Sequence, residues 1–295
     1  MSVLNKLFSK KIIAGGTHTE YRFLGIKLKI KPFTMPYQDL ISQAIAREVT
    51  TAMDVIELHK KTFPQFKTIN KDNEVAIFGC GPTIQYYNNE LNTKNIALNK
   101  ALFLDNIRFD YSFAQDVNLL KTCPGYLDKI KEKDCVKFIG KFLQPDVHLQ
   151  MPEIATEKED NILRYYSGVR INLPARNLQF NLYPNLESRP LADFSSVSFA
   201  ALHFALYTHP KKIYLIGLDT SSGGQNFFDK CNGNYDTKHM IEGYKLMKKF
   251  ASVYYPDVEI ISVNPVGLRG LFKDIYTKSY VDNNIELQNK NIEII

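Results

Sequence analysis

The chain has 295 residues, 44% hydrophobic and 23% charged, with 37 Lys and Arg against 31 Asp and Glu for a formal charge of +6. With a mean hydropathy of −0.24, that balance excludes a disordered chain and a membrane-spanning bundle. No apolar run reaches the roughly 18 to 20 residues of a transmembrane helix, and residues 1–20 lack the uncharged apolar centre of a secretory signal, so the expected location is the cytoplasm.

Residues 1–72 read as a basic segment ending in an amphipathic helix. In Gly25-Ile-Lys-Leu-Lys-Ile-Lys31 the lysines alternate with apolar residues and share one face of a strand. Such a face either rests peripherally on anionic lipid at the inner membrane surface, at about 1 kcal/mol per basic residue, or is the solvated side of an ordinary hairpin. From Tyr37 to Phe63 the apolar positions Leu40, Ile41, Ala44, Ile45, Val49, Ala52, Val55, Ile56 and Leu58 recur three and four apart, which predicts a helix packed on the main domain or on a second copy in a homo-oligomer. His59 is expected on its surface, since no second ligand-type residue sits one turn away.

Residues 73–270 alternate short apolar runs with helical patterns. Strands are expected at Glu74 to Phe78, Asn95 to Leu98, Arg108 to Ser112, Cys135 to Ile139, Phe180 to Tyr183, Lys212 to Ile216 and Val258 to Val263. Helices are expected near Thr83 to Leu91, Val117 to Leu120, Tyr126 to Lys131, Ser195 to Tyr207 and His239 to Tyr254. The alternation predicts a doubly wound α/β fold, a mostly parallel, Rossmann-like sheet with helices on both faces. Residues 141–190 show little periodicity and read as a lid or acceptor-binding excursion; residues 271–295 read as a tail. Cys80, Cys123, Cys135 and Cys231 have no C-x-x-C spacing, so neither a zinc site nor a disulfide framework is indicated.

The strongest local signal is Val75-Ala-Ile-Phe-Gly-Cys-Gly-Pro-Thr83, a strand running into a glycine turn. Gly79 and Gly81 leave the backbone bare, Pro82 suits a first helical turn, and Thr83 adds a hydroxyl, an arrangement suited to a phosphate at the carboxyl end of the strand. A purely structural glycine turn is the alternative. A dinucleotide fingerprint would need a small residue where Ile84 stands and an acidic residue where the second strand ends in Asn99, whose amide instead suits a base or sugar edge. Three further clusters are expected at the same edge: Gln115 and Asp116 after the third strand; Arg189 with Ser195 and Ser196, which could receive a phosphate or carboxylate; and Gly217 and Asp219 after the strand Ile213 to Ile216. Asp219 could equally cap backbone amides of its own loop. No recognised motif supports nucleic-acid binding, and the positive charge suits an anionic ligand.

Gly79-Cys-Gly-Pro-Thr83, Asn99, the serine-led helix from Ser195 and Ile213-Tyr-Leu-Ile-Gly-Leu-Asp219 together resemble the bacterial lipooligosaccharide sialyltransferase family and, more loosely, flagellin-modifying glycosyltransferases. The resemblance covers roughly residues 74 to 270. It implies an inverting, metal-independent transfer of sialic acid or a related acidic sugar from a CMP-activated donor to a surface glycan or glycolipid, with no resident cofactor. It also implies that His239 is the general base, a task suited to an imidazole. Where the family carries phosphate-stabilising tyrosines, this loop reads Thr220-Ser-Ser-Gly-Gly-Gln-Asn226. Two other readings stay open: a pyrophosphokinase-like enzyme dependent on ATP and a divalent metal, and a non-catalytic nucleotide-binding protein.

Overall fold

The computed structural model describes residues 8–13, 18–23, 26–30, 37–115, 125–142, 161–168, 182–221, 226–228, 237–288 and 290–295. Asp116, the expected 117–120 helix and Phe180 lie outside them. The chain divides into two compact units, Met1–Met53 and Asp54–Ile295. The first holds an antiparallel three-stranded sheet of β1 (Phe8–Ile13), β2 (His18–Phe23) and β3 (Ile26–Ile30), in which Arg22 pairs with Lys27 and Glu20 with Lys29. Helix α1 (Tyr37–Thr62) starts in the first unit and ends in the second.

The second unit is built on an eight-stranded sheet whose strands all pair in parallel. From β4 (Val75–Phe78) the chain steps outward through β5 (Lys94–Leu98), β6 (Tyr111–Ala114), β7 (Val136–Phe142) and β8 (Ile162–Ser167). It then returns to the other side of β4 for β9 (Lys212–Ile216), β10 (Glu259–Val263) and β11 (Lys273–Ile275). That reversal creates a topological switch point between β4 and β9, at the edge where the strands' carboxyl ends lie.

Both faces of the sheet are covered, so the strands are continuous apolar runs rather than alternating ones. Val75, Ile77, Ile96, Leu98, Tyr111 and Phe113 face a core shared with α3 (Val197–Tyr207) and α4 (Thr237–Tyr254). Every residue of α3 is buried, as expected of a helix apolar all round. Ala76, Phe78, Ala97 and Ala114 face the other way, toward α2 (Tyr126–Glu132) and the connections after β4 and β5. Helix α3 returns from the edge strand β8 to β9, and α4 connects β9 to its neighbour β10; both are crossovers between parallel strands, which puts their N-termini at the carboxyl edge of the sheet.

Several expectations are corrected. Residues 82–86 form a five-residue 3-10 turn instead of a helix reaching Leu91, because Ile84 and Tyr87 are spaced for three residues per turn and both are buried. The third strand is Tyr111–Ala114, two to three residues later than expected. The 141–190 excursion contains strand β8, while Leu182 and Tyr183 are in no strand. Residues 271–295 are joined to the sheet through β11, followed by the short α5 (Lys278–Asp282), and Ile295 donates to the Tyr276 carbonyl. His59 is fully buried: its Nδ1–H donates to the carbonyls of Leu186 (2.8 Å) and Arg189 (3.0 Å), and its Nε2 accepts the Tyr166 N–H (2.8 Å). Among the described residues no helix is long and apolar enough to cross a membrane.

Candidate functional site

The switch point is where the sequence places the glycine turn, and here the two loops interlock. Gly79 N–H donates to the Ile216 carbonyl and Gly81 N–H to the Gly217 carbonyl, both at 2.8 Å. A Cβ on Gly79 would fall on the Gly217 carbonyl oxygen, and one on Gly81 would lie 2.6 Å from the Asp219 carboxyl carbon. Gly217 itself has φ +63°, a conformation that a side chain would strain. The bare backbone at 79 and 81 is thus required by the neighbouring β9 loop.

The turn does bind an anion, and that anion is the chain's own. Asp219, 6% exposed, accepts the Thr83 N–H at 2.9 Å and a short hydrogen bond from the Thr83 hydroxyl. Burial raises the Asp219 carboxyl above its ordinary range, against the lowering effect of those two donors. The expected phosphate seat at Pro82 and Thr83 is therefore already taken, by a carboxylate that caps the opposite loop rather than its own. Beyond it, the Phe227 N–H donates to the Cys80 carbonyl and Gly267 N–H to the Asp219 carbonyl, so the β9 loop is tied on both sides.

Asn99 directly follows β5, which lies next to β4 in the sheet, and opens a 3-10 turn. Its backbone sits at φ +49°, and its Oδ1 is buried without a hydrogen-bond partner. A buried amide oxygen left unpaired costs about 1 to 3 kcal/mol, and native proteins keep few of them. Gln115, at the end of β6, is buried at 2% exposure and does not face solvent: its Nε2 donates to Asp193 Oδ2 (3.1 Å) and its Oε1 accepts from the Tyr165 hydroxyl (3.0 Å). The other Asp193 oxygen accepts the Ser195 N–H at 2.8 Å.

Of the two serines, Ser196 is the cap of α3, accepting the Ser198 N–H at 3.3 Å, while Ser195 is exposed with φ +68°. The hydroxyls of Ser196 and Ser198 are 2.9 Å apart, and the buried Tyr244 of α4 donates to Ser198 at 2.7 Å. His239 is half-buried in the first turn of α4, within the helix expected from His239 to Tyr254, which starts two residues earlier at Thr237. Gly243, one turn further, lies against Phe194, since a Cβ there would come within 2.7 Å of the Phe194 Cβ. His239 and the serine pair are thus flanked by the same α4 to Phe194 contact. Arg189 is exposed, its guanidinium 5.9 Å from the Tyr183 ring centre.

Sequence reasoning missed Asp193, Tyr165, Ser198 and Tyr244. The signal for Asp193 was present in Asp193-Phe-Ser195, an aspartate two residues before a backbone amide at a helix start. Among the described residues, no group of three or more His, Cys, Asp or Glu is placed to hold a metal ion.

No family model and no curated protein matches the chain. Among the solved structures similar to it are two of Campylobacter jejuni proteins. One is the sialyltransferase CstII from Campylobacter jejuni in complex with a substrate analogue, CMP-3FNeuAc, with 13% identity and a TM-score of 0.39 over 68% of this chain and 84% of that one. The other is alpha-2,3-sialyltransferase from Campylobacter jejuni in apo form, with 16% identity and a TM-score of 0.40 over 76% of this chain and 80% of that one. Both are sialyltransferases.

Proposed function

We propose that the chain is an inverting glycosyltransferase that uses a CMP-activated acidic sugar and a glycan or glycolipid acceptor without a metal ion. The observation that carries this reading is the unpartnered Asn99 Oδ1 beside the switch point. An amide oxygen there accepts from an exocyclic amine or a ribose hydroxyl, which a cytidine supplies. The motif resemblance of residues 74 to 270 supports the same donor.

In the proposed displacement His239 takes the proton of the acceptor hydroxyl as its oxygen forms a bond to the anomeric carbon. The bond from that carbon to the phosphate oxygen breaks, and CMP leaves with the electron pair. Because Asp219 occupies the glycine turn, the leaving phosphate is received by the exposed Ser195 and the hydroxyl cluster at the start of α3. A thermal-shift panel of CMP, CDP, UDP, ATP and NAD, each with and without magnesium, tests the reading. CMP at 100 times its dissociation constant adds about 2.7 kcal/mol of apparent stability, and magnesium leaves that unchanged. Stabilisation by ATP alone, and only with magnesium, would replace sugar transfer with phosphate chemistry. His239→Ala is expected to keep the CMP shift and lose transfer; turnover at the parental rate would remove His239 as the base.

A further inference from the structure

The chain Tyr165, Gln115, Asp193 has no part in the displacement itself, yet it ends on the serine pair. Its three side chains come from β8, the end of β6 and the connection into α3, and all are at most 3% exposed. The fully buried Tyr165 phenol donates to Gln115 Oε1, which turns Gln115 Nε2 toward Asp193. Burial first, and the Asp193 charge second, hold that phenol well above its ordinary pKa, so it stays protonated as a donor. Asp193 Oδ1 then takes the N–H of Ser195, two residues on.

Ser195 needs this support. A left-handed backbone costs a residue other than glycine roughly 1 to 2 kcal/mol, and Ser195 is at φ +68°. It is also exposed, directly before the Ser196 cap. We propose that Asp193 is the positioning residue of this edge: held by Gln115 and Tyr165, its carboxylate fixes Ser195 in the left-handed conformation and so aims the exposed serine at the donor. That role rests on reading this edge as the donor site.

Asp193→Asn separates positioning from charge. The amide oxygen still accepts the Ser195 N–H. If the Gln115 amide turns over, the Nδ2 of the substituted side chain donates to it and the Tyr165 hydroxyl accepts from Gln115, so every bond of the chain survives without the charge. Asp193→Ala removes both acceptors. Two measurements follow: hydrogen exchange of the Ser195 amide, and CMP affinity by calorimetry. Asp193→Ala is expected to speed that amide's exchange and to weaken CMP binding, each by about tenfold or more, as for a lost hydrogen bond to a charged group. Asp193→Asn is expected to stay within about threefold of the parent in both, less than the loss of one hydrogen bond. Should the Ala protein not fold, Asp193→Glu displaces the carboxylate by one methylene and is expected to behave as described for Ala. Equal exchange at Ser195 in the parent and the Ala or Glu protein overturns the proposal, as does an Asn protein as impaired as Ala. A parent that binds no CMP overturns the donor-site reading alone, and the exchange comparison then decides the role of Asp193.

Discussion

Two buried aspartates close the carboxyl edge of the sheet, and they do different work. Asp219 joins the loop after β9 to the turn after β4 through one partner, Thr83, and the glycines on both sides are in backbone contact. Asp193 is linked to Gln115 and, through it, to Tyr165 by side chains, and accepts the backbone N–H of the exposed Ser195. The first junction is a steric seam that leaves little room for a ligand. The second is a polar support under a surface group. A motif that looks made for phosphate can therefore be filled by the protein itself, while the less conspicuous junction holds groups free to meet a ligand.

The steric character of the seam gives the largest expected effect. In Gly79→Ala the new methyl would meet the Gly217 carbonyl, a backbone atom that cannot rotate away, and the Leu218 Cδ2 at 2.5 Å. We expect a loss of about 3 kcal/mol or more in urea unfolding, the upper end for overpacking. Gly125→Ala is the comparison: φ is +72°, but nothing lies within 4 Å of its Cβ, so only the backbone penalty of roughly 1 to 2 kcal/mol applies. Equal losses at the two positions would mean that the close approach of the Gly217 carbonyl does not set the demand for glycine at 79.

The approach to the Asp193 side is fastened by two histidines, and falling pH should loosen it. His203 Nε2–H donates to the Tyr183 carbonyl (2.8 Å) and its Nδ1 accepts the Ala192 N–H (3.1 Å), while His59 holds Leu186, Arg189 and Tyr166 in the same fashion. Each ring needs one bare nitrogen and so must be neutral. Burial lowers both to about 4, against the raising effect of their backbone bonds. The unfolded chain, with histidines near 6.5, then binds more protons than the folded one between about pH 4 and 6.5. Stability is full above that window and falls with pH through it, by up to about 3 kcal/mol per ring. Urea midpoints measured from pH 4 to 8 check this; a flat profile would show that neither ring is held neutral.

These contacts also mark how far the sequence is legible. Lys212 to Ile216 was expected and found residue for residue, since a fully buried parallel strand is an unbroken apolar run. Strand β8, Ile-Leu-Arg-Tyr-Tyr-Ser, mixes exposed and buried positions on a sheet edge, and what fixes it is pairing with β7 and a bridge to Leu191, neither of which is local. His59 sits between Glu57 and Lys60 on a helix with a polar face, and nothing nearby shows that carbonyls 127 and 130 residues later will seal it in. At the site, the glycine turn and Asp219 were visible as motifs, but which group each would face was decided by the two loops meeting across the switch point.

The smallest expected effects separate the two junctions most cleanly. Thr83→Val keeps the shape and the backbone N–H to Asp219 but removes the hydroxyl donor, and Tyr165→Phe removes the donor to Gln115. Each is expected to cost about 1 to 2 kcal/mol in urea unfolding, the usual range for one buried donor. Stability alone would not tell them apart. Ligand affinity should, because Thr83 answers only to Asp219, whereas Tyr165 sets the Gln115 amide, which holds Asp193 and through it Ser195. Calorimetric titration with CMP is expected to give a parental affinity for Thr83→Val and a weaker one for Tyr165→Phe. The reverse order would move the ligand from the polar support to the glycine seam.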